Sequence, residues 1–447
     1  MLFFSGYALI LLTLIPVLSL WLDEVLQLIG VRDMGLQQLL EYAPVNLGGV
    51  PFGYVVAFSA VKLFGYSIYS ARLPSAVFSL LASAGVLFLA RQIGLRRPLL
   101  APILFVCFPL QLRYAVEARP YSLALCLTTW GTISLLRLLD RPSLKRAIPY
   151  FLCTLLGIYT QPFTLFVPCA HLVWLLANSR DRQYRQCWIW AASSVLIAGL
   201  SFLPWYLYAS PKWRDAIGPD EYQVPLKALL LVSKELIGSG HVSTAIAGGL
   251  ACLGRATLPR RERLLWSLYI VMPIGLALLA DAAFGYFLAI RQMIFVLIPL
   301  ALMAALGVEH IWRKSPRTTA LLTAGFLLLL VGGNISFFQR PREDWKAASD
   351  AIASELHSGN CVIFAPLDSL KLYRFFRPEL VAGQCPTRGA LPGPVLVAVA
   401  PYELEDSFDV IRKRLEPTRR VSRQLEFNGP KIIFFEETPM ASRGPSR

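Results

Sequence analysis

Three short groups of ionisable residues stand at the edges of apolar runs, where charge is expensive enough to need a reason. The first is Asp23-Glu24, which closes the first hydrophobic run in Leu20-Trp21-Leu22-Asp23-Glu24-Val25. Adjacent positions on a helix face different ways, so one acid can enter a cavity while its neighbour caps or pairs. A carboxylate beside hydrocarbon, partly stripped of water, can accept a proton from a hydroxyl. The second group is Glu117-Ala-Arg119-Pro-Tyr121, a carboxylate, a guanidinium and a phenol within five residues, with Pro120 suited to the first turn of the helix that follows. The third is Arg291-Gln292, a cation at the edge of a late apolar run, able to hold a phosphate at bilayer level. Each has a plainer reading: an interfacial helix end, a structural Glu117–Arg119 ion pair, and an Arg291 that snorkels to the headgroups.

The elements that must position these groups are mostly membrane helices. Apolar residues make up 55% of the 447-residue chain and charged residues 16%, a balance that soluble globular chains rarely show. Apolar runs at 3–20, 69–90, 98–115, 120–139, 146–160, 162–178, 187–208, 240–258, 264–285, 288–311 and 318–338 predict eleven transmembrane helices. The run 50–64 carries Pro51, Gly53 and Lys62 and is too short to span. If it does not cross and the N-terminus is cytoplasmic, five basic clusters share the inner side: Arg91/Arg96/Arg97, Arg141/Lys145/Arg146, Arg180/Arg182/Arg185, Arg255/Arg260/Arg261/Arg263 and Arg313/Lys314/Arg317. If it crosses, all five lie outside, so the positive-inside rule favours a re-entrant or interfacial helix. The net charge of +15 is thereby accounted for by topology signals between apolar runs rather than by a nucleic-acid face. On this topology the external loop 21–68, Glu117–Arg119, the loop 209–239, the turn 281–291 and everything beyond Phe338 are extracytoplasmic.

Residues 1–338 thus read as a membrane domain, 339–440 as an extracytoplasmic α/β domain and 441–447 as a disordered tail. Trp345, Ala348, Ile352 and Leu356 recur at helical spacing over 344–357. Strands are expected at 361–365, 395–399, 421–427 and 431–436, with helices near 367–376 and 407–415. Cys361 and Cys385 fall here, so a disulfide is open to them in an oxidising compartment. The other six cysteines lie in apolar runs without metal-ligand spacing and read as small packing residues.

Taken in order, the motifs resemble a family. Asp23-Glu24 comes after the first span, followed by Pro51-Phe-Gly-Tyr54, Lys62-Leu-Phe-Gly65 and Ala71-Arg72-Leu-Pro74-Ser75. Tyr114-Ala-Val-Glu117-Ala-Arg119-Pro-Tyr121 and Arg291-Gln-Met-Ile-Phe-Val-Leu-Ile-Pro299 complete the series, and Glu343-Asp344-Trp345 is similar to the opening of the tail that many bacterial members carry. Over residues 1–310 the chain resembles GT-C membrane glycosyltransferases of the protein-mannosyltransferase-like group, which includes bacterial aminoarabinose and galacturonic acid transferases. The resemblance implies transfer of a sugar from a polyprenyl-phosphate donor to an extracytoplasmic acceptor at a bacterial inner or plasma membrane. It makes Asp23 catalytic, with Glu24 beside it and Glu117 as the acid of the second external loop. The leaving phosphate needs cations, a role that falls to Arg119 and Arg291, with Lys62 and Arg72 behind them and Tyr121 alongside. Acceptor recognition is expected in the 209–239 loop, at Trp213, Arg214, Asp220, Glu221 and Tyr222, and in the tail domain.

Two departures weaken a metal. Relatives often carry His-Pro-Pro where this chain has Gly49-Val50-Pro51, and a histidine where it has Gln161, and the chain's four histidines are scattered. No metal ligand set is assigned, and a two-carboxylate Mg²⁺ or Mn²⁺ site on Asp23 and Glu117 has no support beyond its acids. A lipid-linked glycan transporter or flippase, or a non-catalytic assembly subunit, stays open as an alternative. A transporter would place ionisable groups near the bilayer midplane and show internal repeats, whereas the charges here crowd the outer face.

Overall fold

The computed structural model describes residues 2–46, 49–216, 225–284, 289–358, 360–381, 385, 394–401 and 406–437. The chain forms two compact units, one of residues 1–17 and 30–339, the other of 18–29 and 340–447. The segment 18–29, read from sequence as the start of the external loop, thus packs within the second unit.

The first unit is helical. Among the described residues six helices are long and apolar enough to cross a membrane: Ile68–Gln92, Tyr121–Asp140, Arg182–Trp213, Arg260–Ala283, Ile290–Trp312 and Pro316–Gln339. Shorter apolar helices include Leu2–Leu14 and Pro51–Phe64, the latter with 14 residues. The run 98–115 is broken into Leu100–Cys107 and Pro109–Ala115. The break follows from Pro109: its ring disfavours helical backbone at the residue before it, and Phe108 is extended with φ −63° and ψ 119°.

Small residues bring helix backbones together where hydrocarbon offers no hydrophobic drive for association. Gly254 in helix His241–Thr257 and Gly307 in helix Leu297–Trp312 face each other's backbones so closely that a Cβ on either would collide with a main-chain carbonyl, of Met303 or Leu250. Buried polar groups add ties between distant helices. Tyr7 Oη and Gln111 Nε2 meet on Ser79 Oγ at 2.7 and 2.6 Å. Glu309, 4% exposed, accepts the backbone amides of Arg96 and Arg97 at 2.8 and 3.3 Å and the Arg313 guanidinium at 2.9 Å.

The second unit contains a four-stranded sheet of β1 (Cys361–Ala365), β2 (Val395–Val399), β3 (Arg419–Glu426) and β4 (Lys431–Glu437), in the order β1-β2-β4-β3. β1 and β2 run parallel, with Cys361 opposite Val395, and β4 runs antiparallel to both β2 and β3. The strands that carry apolar runs in sequence, β1, β2 and β4, are the buried ones, and Val395, Val397, Ile433 and Phe435 pack with Cys361 and Leu415 in the core. β3 lies at the edge, and its exposed Arg420 and Arg423 discourage pairing with another chain. Helix Trp345–His357 buries Trp345, Ala348, Ser349, Ile352 and Ala353, one apolar stripe at helical spacing. Cys361 and Cys385 are joined in a disulfide, their Cα atoms 5.0 Å apart.

Candidate functional site

The site in the first unit is built where helix Pro109–Ala115 hands over to helix Tyr121–Asp140. Pro109 starts the short helix because its missing amide is no loss at a first position. Arg113 stands in the last turn, and Glu117 follows four residues on, so the guanidinium reaches back to it: Nε lies 3.1 Å from Oε1. Glu117 is fully buried and Arg113 28% exposed, so the pair sits at the border of the packed interior. A tight turn follows, in which the Arg119 amide donates to the Glu117 carbonyl at 2.7 Å. The turn is fastened at both ends: Ser75 Oγ donates to the Arg119 carbonyl at 3.1 Å, and Ser122 Oγ to the Tyr114 carbonyl at 2.8 Å.

Tyr121 is the centre of the cluster. Its ring packs on Tyr114, with centroids 4.5 Å apart, and the Arg119 guanidinium lies over it at 5.9 Å. Its hydroxyl accepts from Arg291 Nε at 3.0 Å. Arg291 reaches it from the turn Ile290–Val296, where the backbone is kinked at Met293 and Gln292 Oε1 accepts the Ala289 amide at 3.2 Å. Three guanidiniums from two distant stretches of chain therefore gather around the Tyr114 and Tyr121 phenols and the Glu117 carboxylate, a donor-rich arrangement suited to the oxygens of a phosphate. The first turn of helix Pro51–Phe64 abuts this handover, since a Cβ on Gly53 would lie 2.8 Å from Pro120 Cβ.

The remaining sequence candidates divide. Arg72 is fully buried, and its Nη1 donates to the Ile15 carbonyl at 2.6 Å, beyond the end of helix Leu2–Leu14, a tie of the kind that satisfies terminal carbonyls. Lys62 is exposed near the end of its helix, with its ammonium over the Phe58 ring at 5.2 Å. Of the acceptor-loop candidates, Trp213 lies in helix Arg182–Ala216, while Asp220, Glu221 and Tyr222 and the side chain of Arg214 fall outside the described residues. Arg113 was missed by the sequence reading, although its place four residues before Glu117 is the spacing of a helical ion pair.

In the second unit, Asp23 and Glu24 occupy the first turn of helix Leu22–Asp33 and are 6% and 0% exposed. Acids are favoured there by the helix dipole. The helix start is held by Glu343, whose Oε2 accepts the Leu22 amide at 2.8 Å and the Trp345 indole N–H at 2.7 Å. Among the described residues no group of three or more His, Cys, Asp or Glu side chains is arranged to hold a metal ion.

Residues 50–208 match the family model for dolichyl-phosphate-mannose-protein mannosyltransferase. No curated protein matches the chain by sequence. Among solved structures, the chain is similar to ArnT from Cupriavidus metallidurans bound to undecaprenyl phosphate, with 13% identity, a TM-score of 0.59 and 97% of each chain covered. The apo state of the same protein gives 13% identity, a TM-score of 0.57 and the same coverage. The likeness runs almost end to end, so the chain has the GT-C fold that its sequence motifs resemble.

Proposed function

We propose that the protein is an integral membrane glycosyltransferase that moves a sugar from a polyprenyl-phosphate donor to an extracytoplasmic acceptor, a glycolipid, polysaccharide or protein. The observation that carries this reading is the gathering of Arg119 and Arg291 on Tyr121, with Arg113 over the neighbouring Tyr114 ring, on a fold shared with a protein solved with undecaprenyl phosphate. In this reading the guanidiniums receive the lipid phosphate and stabilise the charge that grows on it as the glycosidic bond breaks. Asp23 removes the proton from the attacking acceptor hydroxyl, with Glu24 as its neighbour, so the hydroxyl oxygen bonds the anomeric carbon as the polyprenyl phosphate leaves. Glu117 holds Arg113 in place through their 3.1 Å contact. Tyr121 does the same for Arg291 through its hydroxyl. No nucleotide sugar and no nucleic acid take part.

The topology that goes with this reading has eleven crossings, the five basic clusters inside, and Asp23, Glu117 and Arg291 at the outer surface. Residues 339–440 form an extracytoplasmic domain in the same scheme.

Asp23→Asn tests the assignment. With purified protein in nanodiscs and a lipid extract of the source cells as donor, release of free polyprenyl phosphate is measured by mass spectrometry. Loss of the base is expected to lower turnover by roughly 10²–10⁴-fold. Full turnover in Asp23→Asn would remove Asp23 as base. Absence of any polyprenyl-phosphate release by the wild type, with substrate uptake in its place, would favour the transporter reading.

A further inference from the structure

The proposed reaction leaves Glu343 without a role, yet its side chain is bonded to residues far apart in sequence. Its Oε2 accepts the Leu22 amide at 2.8 Å, from 321 residues away, and the Trp345 indole N–H at 2.7 Å. Its main-chain carbonyl accepts Ser19 Oγ at 3.1 Å. Leu22 is the first residue of the helix whose next two residues are Asp23 and Glu24. The amides of Glu24 and Val25 both turn back to the Trp21 carbonyl at 3.0 Å, which makes Trp21 the cap and the Leu22 amide one of the donors that the helix itself cannot satisfy. A carboxylate is the strongest acceptor for such a donor, at the positive end of the helix dipole.

Glu343 is itself fixed from several sides. Trp345 is 1% exposed and packs edge-on against Tyr373 at 5.4 Å. Asp344 accepts the Ala347 amide at 2.9 Å and so caps helix Trp345–His357, while its own amide donates to the Phe427 carbonyl at 2.9 Å. The turn between β3 and β4 comes up beneath: a Cβ on Gly429 would stand 2.9 Å from Glu343 Cγ. The run Glu343-Asp344-Trp345 thus uses its middle residue to start one helix and its first to hold the start of another, with Trp345 steadying the Glu343 carboxylate.

The cap residue Trp21 has no side-chain acceptor to offer, so the Leu22 amide is met by a carboxylate from far along the chain. The distant carboxylate makes the position of the Asp23 turn depend on the fold of the second unit. We propose that Glu343 is a positioning residue for the acid pair: it holds the first amide of the Asp23 helix and thereby fixes where Asp23 and Glu24 stand. This rests on the assignment of Asp23 as the base.

The test uses the full-length protein in nanodiscs and two readouts, hydrogen exchange of peptides covering residues 19–29 and polyprenyl-phosphate release from the lipid extract. Glu343→Ala is expected to speed exchange over 19–29 and to lower kcat at least about tenfold, the scale of a lost charged hydrogen bond, with the apparent KM for donor within about twofold. Glu343→Gln keeps a carbonyl oxygen for the Leu22 amide and should stay within about threefold of wild type in both readouts. Gly429→Val, which pushes the Glu343 side chain aside, should move both in the direction of Glu343→Ala. Wild-type exchange over 19–29 in Glu343→Ala overturns the proposal, and so does faster exchange with unchanged kcat. If Asp23→Asn keeps full turnover, the base assignment fails on its own, and the exchange readout still decides whether Glu343 holds the helix.

Discussion

Among the described residues, the helices of the first unit and the sheet region of the second treat many of their charges differently, although the second unit also buries Asp23 and Glu24. In the first, several charged side chains are buried against fixed partners, among them Arg72 with the Ile15 carbonyl, Glu309 with the Arg96 and Arg97 amides, and Glu117 with Arg113. In the second, most ion pairs lie at the surface, such as Asp350 with Arg377 at 2.6 Å and Lys346 at 3.2 Å, and Arg412 with Glu416 at 2.6 Å. Glu309 and Glu117 are 4% and 0% exposed, against 35% for Asp350 and 48% for Glu416. A charge that has lost its water must be repaid by a fixed partner, so in the membrane unit it is either a structural tie or part of a site. A charge that keeps its water is cheap and informs little.

The contrast breaks most readily at Glu309. Glu309→Ala removes the acceptor of two backbone amides and of Arg313, and is expected to cost about 3 kcal/mol, seen as a lowered thermal midpoint of the detergent-solubilised protein. A midpoint equal to wild type would mean that water reaches these groups and that the contrast is one of appearance. The second unit relies on a covalent tie instead. Replacing Cys361 and Cys385 by serine opens a loop with a sequence separation of 24 and should cost roughly 3 kcal/mol at most, read as faster proteolysis or exchange confined to residues 340–437.

The smallest effect is expected at Asp350. Its partial burial works to raise the pKa, but the hydrogen bonds from Arg377 and Lys346 outweigh it and hold the carboxyl below the ordinary aspartate range. A depressed folded-state pKa means stabilisation that is present above the unfolded value and lost as the pH falls through the folded one. Asp350→Asn should therefore lower stability by less than about 1 kcal/mol at neutral pH and by nothing once the wild-type carboxyl is protonated. Thermal midpoints compared at neutral and acidic pH check this, and a large neutral-pH loss would place Asp350 with the buried ties.

Much of this was legible in the chain, for reasons that differ by element. Long apolar runs declare membrane helices because hydrocarbon tolerates little else, and the short run at 50–64 forms the 14-residue helix Pro51–Phe64. The break at Phe108 was written in Pro109 yet was passed over, since apolarity continues straight through it. Arg119, Tyr121 and Arg291 were singled out by type and position, and the structure gathers them. Of the others named on the same grounds, Arg72 donates to the Ile15 carbonyl and Lys62 lies over the Phe58 ring. Only packing could separate those cases, because sequence distance says nothing about which of several cations a fold will bring to one phenol. Glu343 shows the same limit from the other side: nothing local links it to Leu22.

The central claim is that the arginines around Tyr114 and Tyr121 hold the phosphate of a polyprenyl donor. A cryo-electron microscopy structure of the protein in nanodiscs with undecaprenyl phosphate tests it directly. The account predicts headgroup density within about 3 Å of the guanidinium nitrogens of Arg291 and of at least one of Arg113 and Arg119, the distance of a charge-assisted hydrogen bond. Headgroup density at the opposite end of the helices, by Arg313, Lys314 and Arg317, would contradict it.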